Sequence, residues 1–322
     1  MRIIGWLLAA VALFPPAFPA DAAEEYPARP IRIVVPSGAG GITDILARVI
    51  AQKLHESIGQ PVIVDNKSGA SGIAGSEFVA NAKPDGYTLL MVFPTHPVNP
   101  SLFSSMPYDT VKAFAPITMV SRVAPVLLVG RDFPAKTVQE LIVMAKEKPG
   151  QLNYASVGLG SMGQLASELF CNMTGTRITH IPYKGSPQAL TAVISGEVQM
   201  YMIGSAGTAA AQDAAGRVRA LGVSTKLRIP ALPHVPPIGD TLPGYEASGW
   251  NGILAPAGTP KEIIERLNRD IVKIVRSPEF GKHLVDEGAT AVGNSPEEFD
   301  AIIRADIRKW AEVIRGGGPQ KN

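Results

Sequence analysis

The stretch IRIVVPSGAGGITDILARVIAQKL, residues 31–54, decides the fold. Its first five residues, Ile31 to Val35, are β-branched apart from Arg32 and form a short apolar run, the pattern of a buried strand. Pro36 to Gly41 is a glycine-rich turn. From there Ile42, Ile45, Leu46, Val49, Ile50 and Leu54 recur at helical spacing, and Gly59 with Pro61 ends the pattern. Strand, glycine turn and helix in that order make an α/β unit, and repeated units of this kind predict a largely parallel sheet.

Working outward, the grammar recurs. VIVD (62–65) and YTLLMVF (87–93) read as the next strands, the second introduced by the turn KPDG. A proline-rich connection (94–116) leads to ITMV (117–120) and VLLV (126–129). In the second half LNYAS (152–156) runs through VGLGSMG into a helix with Met162, Leu165, Ala166, Leu169 and Phe170 on one face. Ser186-Pro187 opens another helix, closed by Gly196; VQMYMI and VRALGVS are strands. TPKE at 259, SPEF at 277 and SPEE at 295 each predict a hydroxyl N-cap followed by proline at the first helical position. At 322 residues the chain is long enough for about two domains.

The two glycine turns, PSGAGGITD (36–44) and SVGLGSMGQ (156–164), share one context at a helix N-terminus. Glycine lets the backbone approach a ligand, and a helix N-terminus carries about half a positive charge, so each turn is a potential anion seat. Ser37, Thr43, Ser156 and Ser161 add hydroxyl donors. Two such seats facing across a cleft would hold a small carboxylate without a buried Arg or Lys. Ordinary α/β turns also need glycine, and Ser161 with Gln164 also fits a simple capping box; both readings stand on the residues alone.

Other chemistry is poorly supported. Gly158, Gly160 and Gly163 spell G-x-G-x-x-G, but the strand that follows, ITHIPYKG, lacks the acidic residue a dinucleotide ribose requires. The five histidines are widely spaced, and no G-x-S-x-G nucleophile elbow occurs. His96, in FPTHPVNP, is either a cleft contact or a surface loop residue, and the single cysteine, Cys171, reads as a small packing residue. Thirty basic and 28 acidic residues give a net charge of +2 with no like-charge run, which argues against a nucleic-acid partner. No cofactor is expected, no repeat of 20–50 residues is evident, and one cysteine excludes an internal disulfide. Arg2, the apolar run Ile3–Phe14 and the site Ala20-Asp21-Ala22 predict a signal peptide over 1–22, removed on export to leave a soluble mature chain.

Four stretches carry a resemblance to a known family: residues 26–91 (YPARPIRIVVPSGAGGITD to KPDGYTLLM), VNPSLFSSMPYDTVKAFAPITMV, HIPYKGSPQALTAVISGEVQM and LPGYEASGWNGILAPAGTP. With the C-terminal SPEEFDAIIRADIRKWAEVI they resemble, in order and over almost the whole mature chain, the Bug receptors, solute-binding proteins of tripartite tricarboxylate transporters. The resemblance implies a periplasmic receptor without a catalytic step. Its two α/β lobes would close over a small organic carboxylate. The first would comprise about 26–124 and 250–322 and the second 125–249.

The membrane partner would be transporter subunits or a sensor kinase, and the receptor itself a monomer. Carried over by position, ligand contacts would come from Ser37, Gly40, Gly41, Thr43 and Asp44, from Ser156, Gly160, Ser161 and Gln164, and from Thr95 and Asn99. The departures concern the ligand. The common P-F-P-P-G-G turn is Pro36-Ser37-Gly38-Ala39-Gly40-Gly41 here, and Gln164 replaces a frequent histidine. Met202-Ile203-Gly204 stands where many members carry Phe-Asp, so Gly204 lines the site without the acid that would suit an amino group. An amine-free carboxylate, with an apolar or aromatic body, is the expected ligand class. Arg122, in SRVAP, either reaches the ligand across the hinge or solvates the crossover.

Overall fold

The structure, a computed structural model, describes residues 26–285 and 289–316; the expected signal peptide lies outside them. Two sheets form two lobes. The first contains β1 (Ile31–Val35), β2 (Val62–Asn66), β3 (Thr88–Val92), β4 (Phe114–Val123), β10 (Gly249–Pro256) and β11 (Ala289–Ala291) in the order β11-β4-β10-β3-β1-β2. The second contains β5 (Val126–Gly130), β6 (Asn153–Ser156), β7 (Thr179–Pro182), β8 (Met200–Ile203) and β9 (Val218–Val223) in the order β7-β6-β8-β5-β9.

As expected, most strands of each sheet run in one direction. β1 runs parallel to β2 and β3, and β6 parallel to β7 and β8. However, β10 is antiparallel to β3 and β4, β11 to β4, and β5 to β8 and β9. The reason lies in the crossings. β4 passes directly into β5 through Ala124-Pro125, and the chain returns through β10. A strand that enters a lobe from the side where the other strands end must run against them.

Helices cover both faces of each sheet. On one face of the first, α1 (Ile42–Ile58), α8 (Lys261–Val275) and α9 (Pro278–Val285) bury Leu46, Ile50, Leu267, Ile271 and Phe280 against Ile33, Leu89 and Ile253. On the other, α2 (Ile73–Ala80) contributes Val79 beside Trp250 and Leu254. In the second lobe α6 (Ser186–Ile194) and α7 (Ala206–Ala214) cover one face. The other is covered by α4 (Val138–Glu147) and α5 (Met162–Thr174).

Two elements cross the lobe boundary. Val98, just before the short α3 (Asn99–Leu102), is buried in the second lobe's core with Leu165 and Phe170. The last helix, α10 (Pro296–Arg315), inserts Phe299 and Ile303 into the first lobe. One turn and more later it places Trp310, Val313 and Ile314 against α5 in the second. Its start is the capping box expected from SPEE: Ser295 Oγ accepts from Glu298 N and Glu298 reaches back to Ser295 N. The expected Thr259 cap of α8 is corrected. Thr259 Oγ1 donates to Pro256 O at 2.7 Å, and Pro260 occupies the N-cap.

Candidate functional site

The ends of β1, β3, β6 and β8 meet at the boundary between the lobes, and the turns that follow them make the candidate site. In the β1–α1 turn, Gly40 has φ +87°, the left-handed region that favours glycine. Its N–H donates to Asp44 Oδ2 at 2.9 Å. The same carboxylate accepts from Arg48 Nε at 3.0 Å and Asn66 Nδ2 at 2.9 Å, and Asn66 also donates to Ser37 O. Asp44 is buried, which alone would raise its pKa. The bonds from Arg48, the Gly40 N–H and Asn66 outweigh burial and hold the carboxyl below its ordinary range. It is therefore the bracket that fixes the turn to the helix and to β2.

Thr43 is similarly occupied. Its hydroxyl donates to Asn251 Oδ1 at 2.9 Å, and Asn251 Nδ2 donates to Ser121 Oγ, which ties α1 to the crossing strands β10 and β4. What the turn leaves open is the backbone: Gly41, the N-cap of α1, offers no side-chain cap to the first helical turn.

The β6–α5 turn repeats this geometry with different chemistry. Gly160, at φ +74°, donates its N–H to Gln164 Oε1 at 2.8 Å, again four residues on. Ser161 caps the helix, accepting from Gln164 N at 3.4 Å and donating to Gly158 O at 2.7 Å. Ser156 is fully buried. Its Oγ accepts from Gly158 N and is hydrogen-bonded to His180 Nε2. The His180 ring stacks on Tyr154 with centroids 4.9 Å apart, and burial lowers its pKa, which favours the neutral imidazole at pH 7. These bonds hold Ser156 beneath the turn.

Thr95 and Asn99 meet elsewhere than a simple cleft lining would suggest. Thr95 Oγ1 and Asn99 Nδ2 both donate to Ser71 O, at 3.0 and 3.1 Å. They brace a turn in which Ala70 and Ser71, neither a glycine, have φ of +45° and +54°. Such conformations cost about 1–2 kcal/mol each and persist only where the surroundings enforce them. The 69–72 turn and the helix after it lie against the first: a Cβ on Gly72 would come within 3.4 Å of Pro36 O, and one on Gly75 in α2 within 2.9 Å of Pro36 Cα. Sequence reasoning missed this turn as a site element, although the cluster SGASG between β2 and α2 is its signal. Asn66, Asn251 and His180 were missed as well, because nothing in spacing marks a polar residue that serves a distant turn.

Gly204, at the end of β8, has open space where a Cβ would project, and Ser205 caps α7. Across the boundary, a Cβ on Gly160 would come within 2.6 Å of Leu102 Cδ1 from the first lobe. A Cβ on Gly249 would meet Pro94 at 2.7 Å and Met162 at 3.3 Å. The lobes thus touch through apolar groups beside the second turn.

Other candidates resolve differently. His96 is neither a cleft contact nor a surface residue: it is 4% exposed, edge-on to Phe114, and burial pushes its pKa down to about 4. The reason is that the 94–102 segment folds inward, carrying Val98 into the core. Arg122 donates to Glu246 at 3.2 Å and to Ser248 Oγ at 2.7 Å, joining the two crossings to each other. Cys171 is buried, and desolvation pushes its thiol up to about 11. Among the described residues no helix is long and apolar enough to cross a membrane.

The family model of the tripartite tricarboxylate transporter family receptor matches residues 46–318. BugT of Bordetella pertussis is 36% identical over 321 residues, covering 99% of this chain and 97% of that protein. A protein of R. palustris solved with adipate is 37% identical with a TM-score of 0.75, covering 91% of this chain and 98% of that one. MatC of Rhodopseudomonas palustris, solved with bound malate, is 29% identical with a TM-score of 0.72, covering 90% of this chain and 100% of that one.

Proposed function

The chain belongs to the tripartite tricarboxylate transporter receptor family, and from that premise we propose that it captures a small carboxylate between its two glycine turns and hands it to the membrane subunits of such a transporter. One observation carries the reading. The α1 N-terminus has no side-chain cap, and a left-handed glycine locked by Asp44 presents it to the cleft. First-turn N–H groups with no capping side chain, at the positive end of a helix dipole, suit a carboxylate.

The solute is amine-free. Asp44 is the carboxylate of the two turns, and three donors already occupy it, so an ammonium finds no counter-charge there. Adipate and malate, the acids bound by two relatives, have this character. The protein works in the periplasm and performs no chemistry on its solute. Ser156, which has a histidine partner, is buried beneath its turn. Binding draws the lobes together, since a solute held by both turns has contacts in the closed state that the open state lacks.

Calorimetric titration with aliphatic carboxylates, amino acids and nucleotides tests the reading. A carboxylate at 100 times its Kd should add ~2.7 kcal/mol to the unfolding free energy. Glutamate or aspartate displacing simple carboxylates would overturn the amine-free assignment. Binding confined to nucleotides, or turnover of a bound acid, would overturn the receptor itself.

A further inference from the structure

Among the described residues six buried side-chain atoms lack a hydrogen-bond partner. Four of them belong to one connection, between β3 and β4: Nδ1 and Nε2 of His96, Oδ1 of Asn99 and Oγ1 of Thr110. A buried polar atom without a bond is costly, so such a concentration calls for a physical account. Thr110, 6% exposed, lines a cavity of about 360 Å³ that the connection forms with α10. His96 lies beside the Thr110 backbone. It packs edge-on against Phe114 with centroids 5.5 Å apart, as does Tyr108, another lining residue. The rest of the wall is mainly apolar, with Phe103 and Ile307 prominent, and Asp109 is its one charged residue. The Asp109 carboxylate accepts from the N–H groups of Val111 and Lys112. No lining residue belongs to either glycine turn.

We propose that this cavity is a second binding site, for an uncharged ring compound that bears a hydroxyl group, of the phenol or benzyl alcohol kind. The lining sets the class. Phe103, Tyr108 and Ile307 suit a ring. The Thr110 hydroxyl can give or take a hydrogen bond, and so can the hydroxyl of such a ligand. Burial keeps His96 uncharged, so it places no cation beside Thr110. A carboxylate here would lose its hydration and meet no cation in the lining, with Asp109 repelling it. The site therefore discriminates against the acids that suit the glycine turns, and it stands independently of the carboxylate reading. Pro100 of α3 and Ile307 of α10 both line it, so its occupant touches the two elements that cross the lobe boundary.

Titration calorimetry with phenol, its apolar isostere toluene and benzoate tests this on the wild type, Thr110→Val and Phe103→Ser. Phenol should bind the wild type saturably. Thr110→Val keeps the shape of the side chain and removes a hydroxyl that has no partner, so the fold is retained. It should weaken phenol ~3–10-fold and leave toluene unchanged. Phe103→Ser should weaken both by ~3–10-fold and leave any benzoate binding as it was. A crystal grown with phenol should show the ring against Phe103. Absence of saturable phenol binding would overturn the proposal, as would phenol affinity indifferent to Phe103→Ser. Equal losses of phenol and toluene in Thr110→Val would remove the hydroxyl recognition, and benzoate weakened with phenol in Phe103→Ser would remove the exclusion of charge. Ordered water alone beside Thr110 in the phenol-grown crystal would also overturn it.

Discussion

The β1–α1 and β6–α5 turns are two solutions to one geometric problem. Each places a left-handed glycine before a helix and holds its N–H with a side-chain oxygen four residues later. In the first lobe the oxygen belongs to a buried carboxylate, Asp44, shared with Arg48 and Asn66. In the second it belongs to the neutral amide of Gln164, and Ser161 caps the helix as well. The first turn is thus rigidly braced from behind and open in front. In the second, Ser161 caps one first-turn donor, the Gln164 N–H, and Val157 and Leu159 are exposed.

The largest expected effect sharpens this contrast. Asp44→Ala strands the Gly40 N–H and the Asn66 amide together, and should cost about 2–4 kcal/mol of stability in chemical denaturation. Gln164→Ala releases one neutral bond and should cost about 1–2 kcal/mol. Equal costs would mean that the charge contributes nothing. The pH dependence has a definite sign: because Asp44 titrates lower in the folded protein than in the unfolded chain, its contribution is complete above the unfolded value and is lost as pH falls through the folded one. Asp44→Asn should flatten that acid limb.

A smaller effect separates the glycines. Gly40→Ala meets nothing within 4 Å and bears only the left-handed strain, about 1–2 kcal/mol. Gly160→Ala bears the same strain plus the clash with Leu102, and should lose about 1 kcal/mol more. Adding Leu102→Ala should recover that excess in a double-mutant cycle, and additivity would show that the lobes do not meet at this point. The smallest effect reverses sign. Gly41→Ser supplies the cap that α1 lacks, with open space for its side chain. It should add about 0.5–1 kcal/mol to stability while weakening carboxylate binding ~10-fold, because the serine competes for the solute's donors.

Much of this was legible in the sequence. Strand runs such as Ile31–Val35 and Met200–Ile203, the helix face of α1 and both glycine turns follow from periodicity and composition, which are local properties. Strand direction was not, because an apolar run such as Val126–Val129 looks the same whether it leaves or enters the cleft. Nor was the burial of His96, decided by a segment folding between lobes. Asp44 and Ser156 were expected from the resemblance to touch a ligand, but the bonds they make to Asn66 and His180 join residues 22 and 24 positions apart, a spacing that carries no signal.

The arrangement of the first sheet also has a consequence in time. β10, residues 249–256, lies at its middle, between β3 and β4, whereas every strand of the second sheet falls between residues 126 and 223. A chain emerging from a ribosome or a translocation pore N-terminus first can complete the inserted lobe while the enclosing one is still split into two unjoined halves. Domains fold as units during synthesis, so the later lobe is the earlier one in sequence, and α10 fastens the pair only when the final helix arrives.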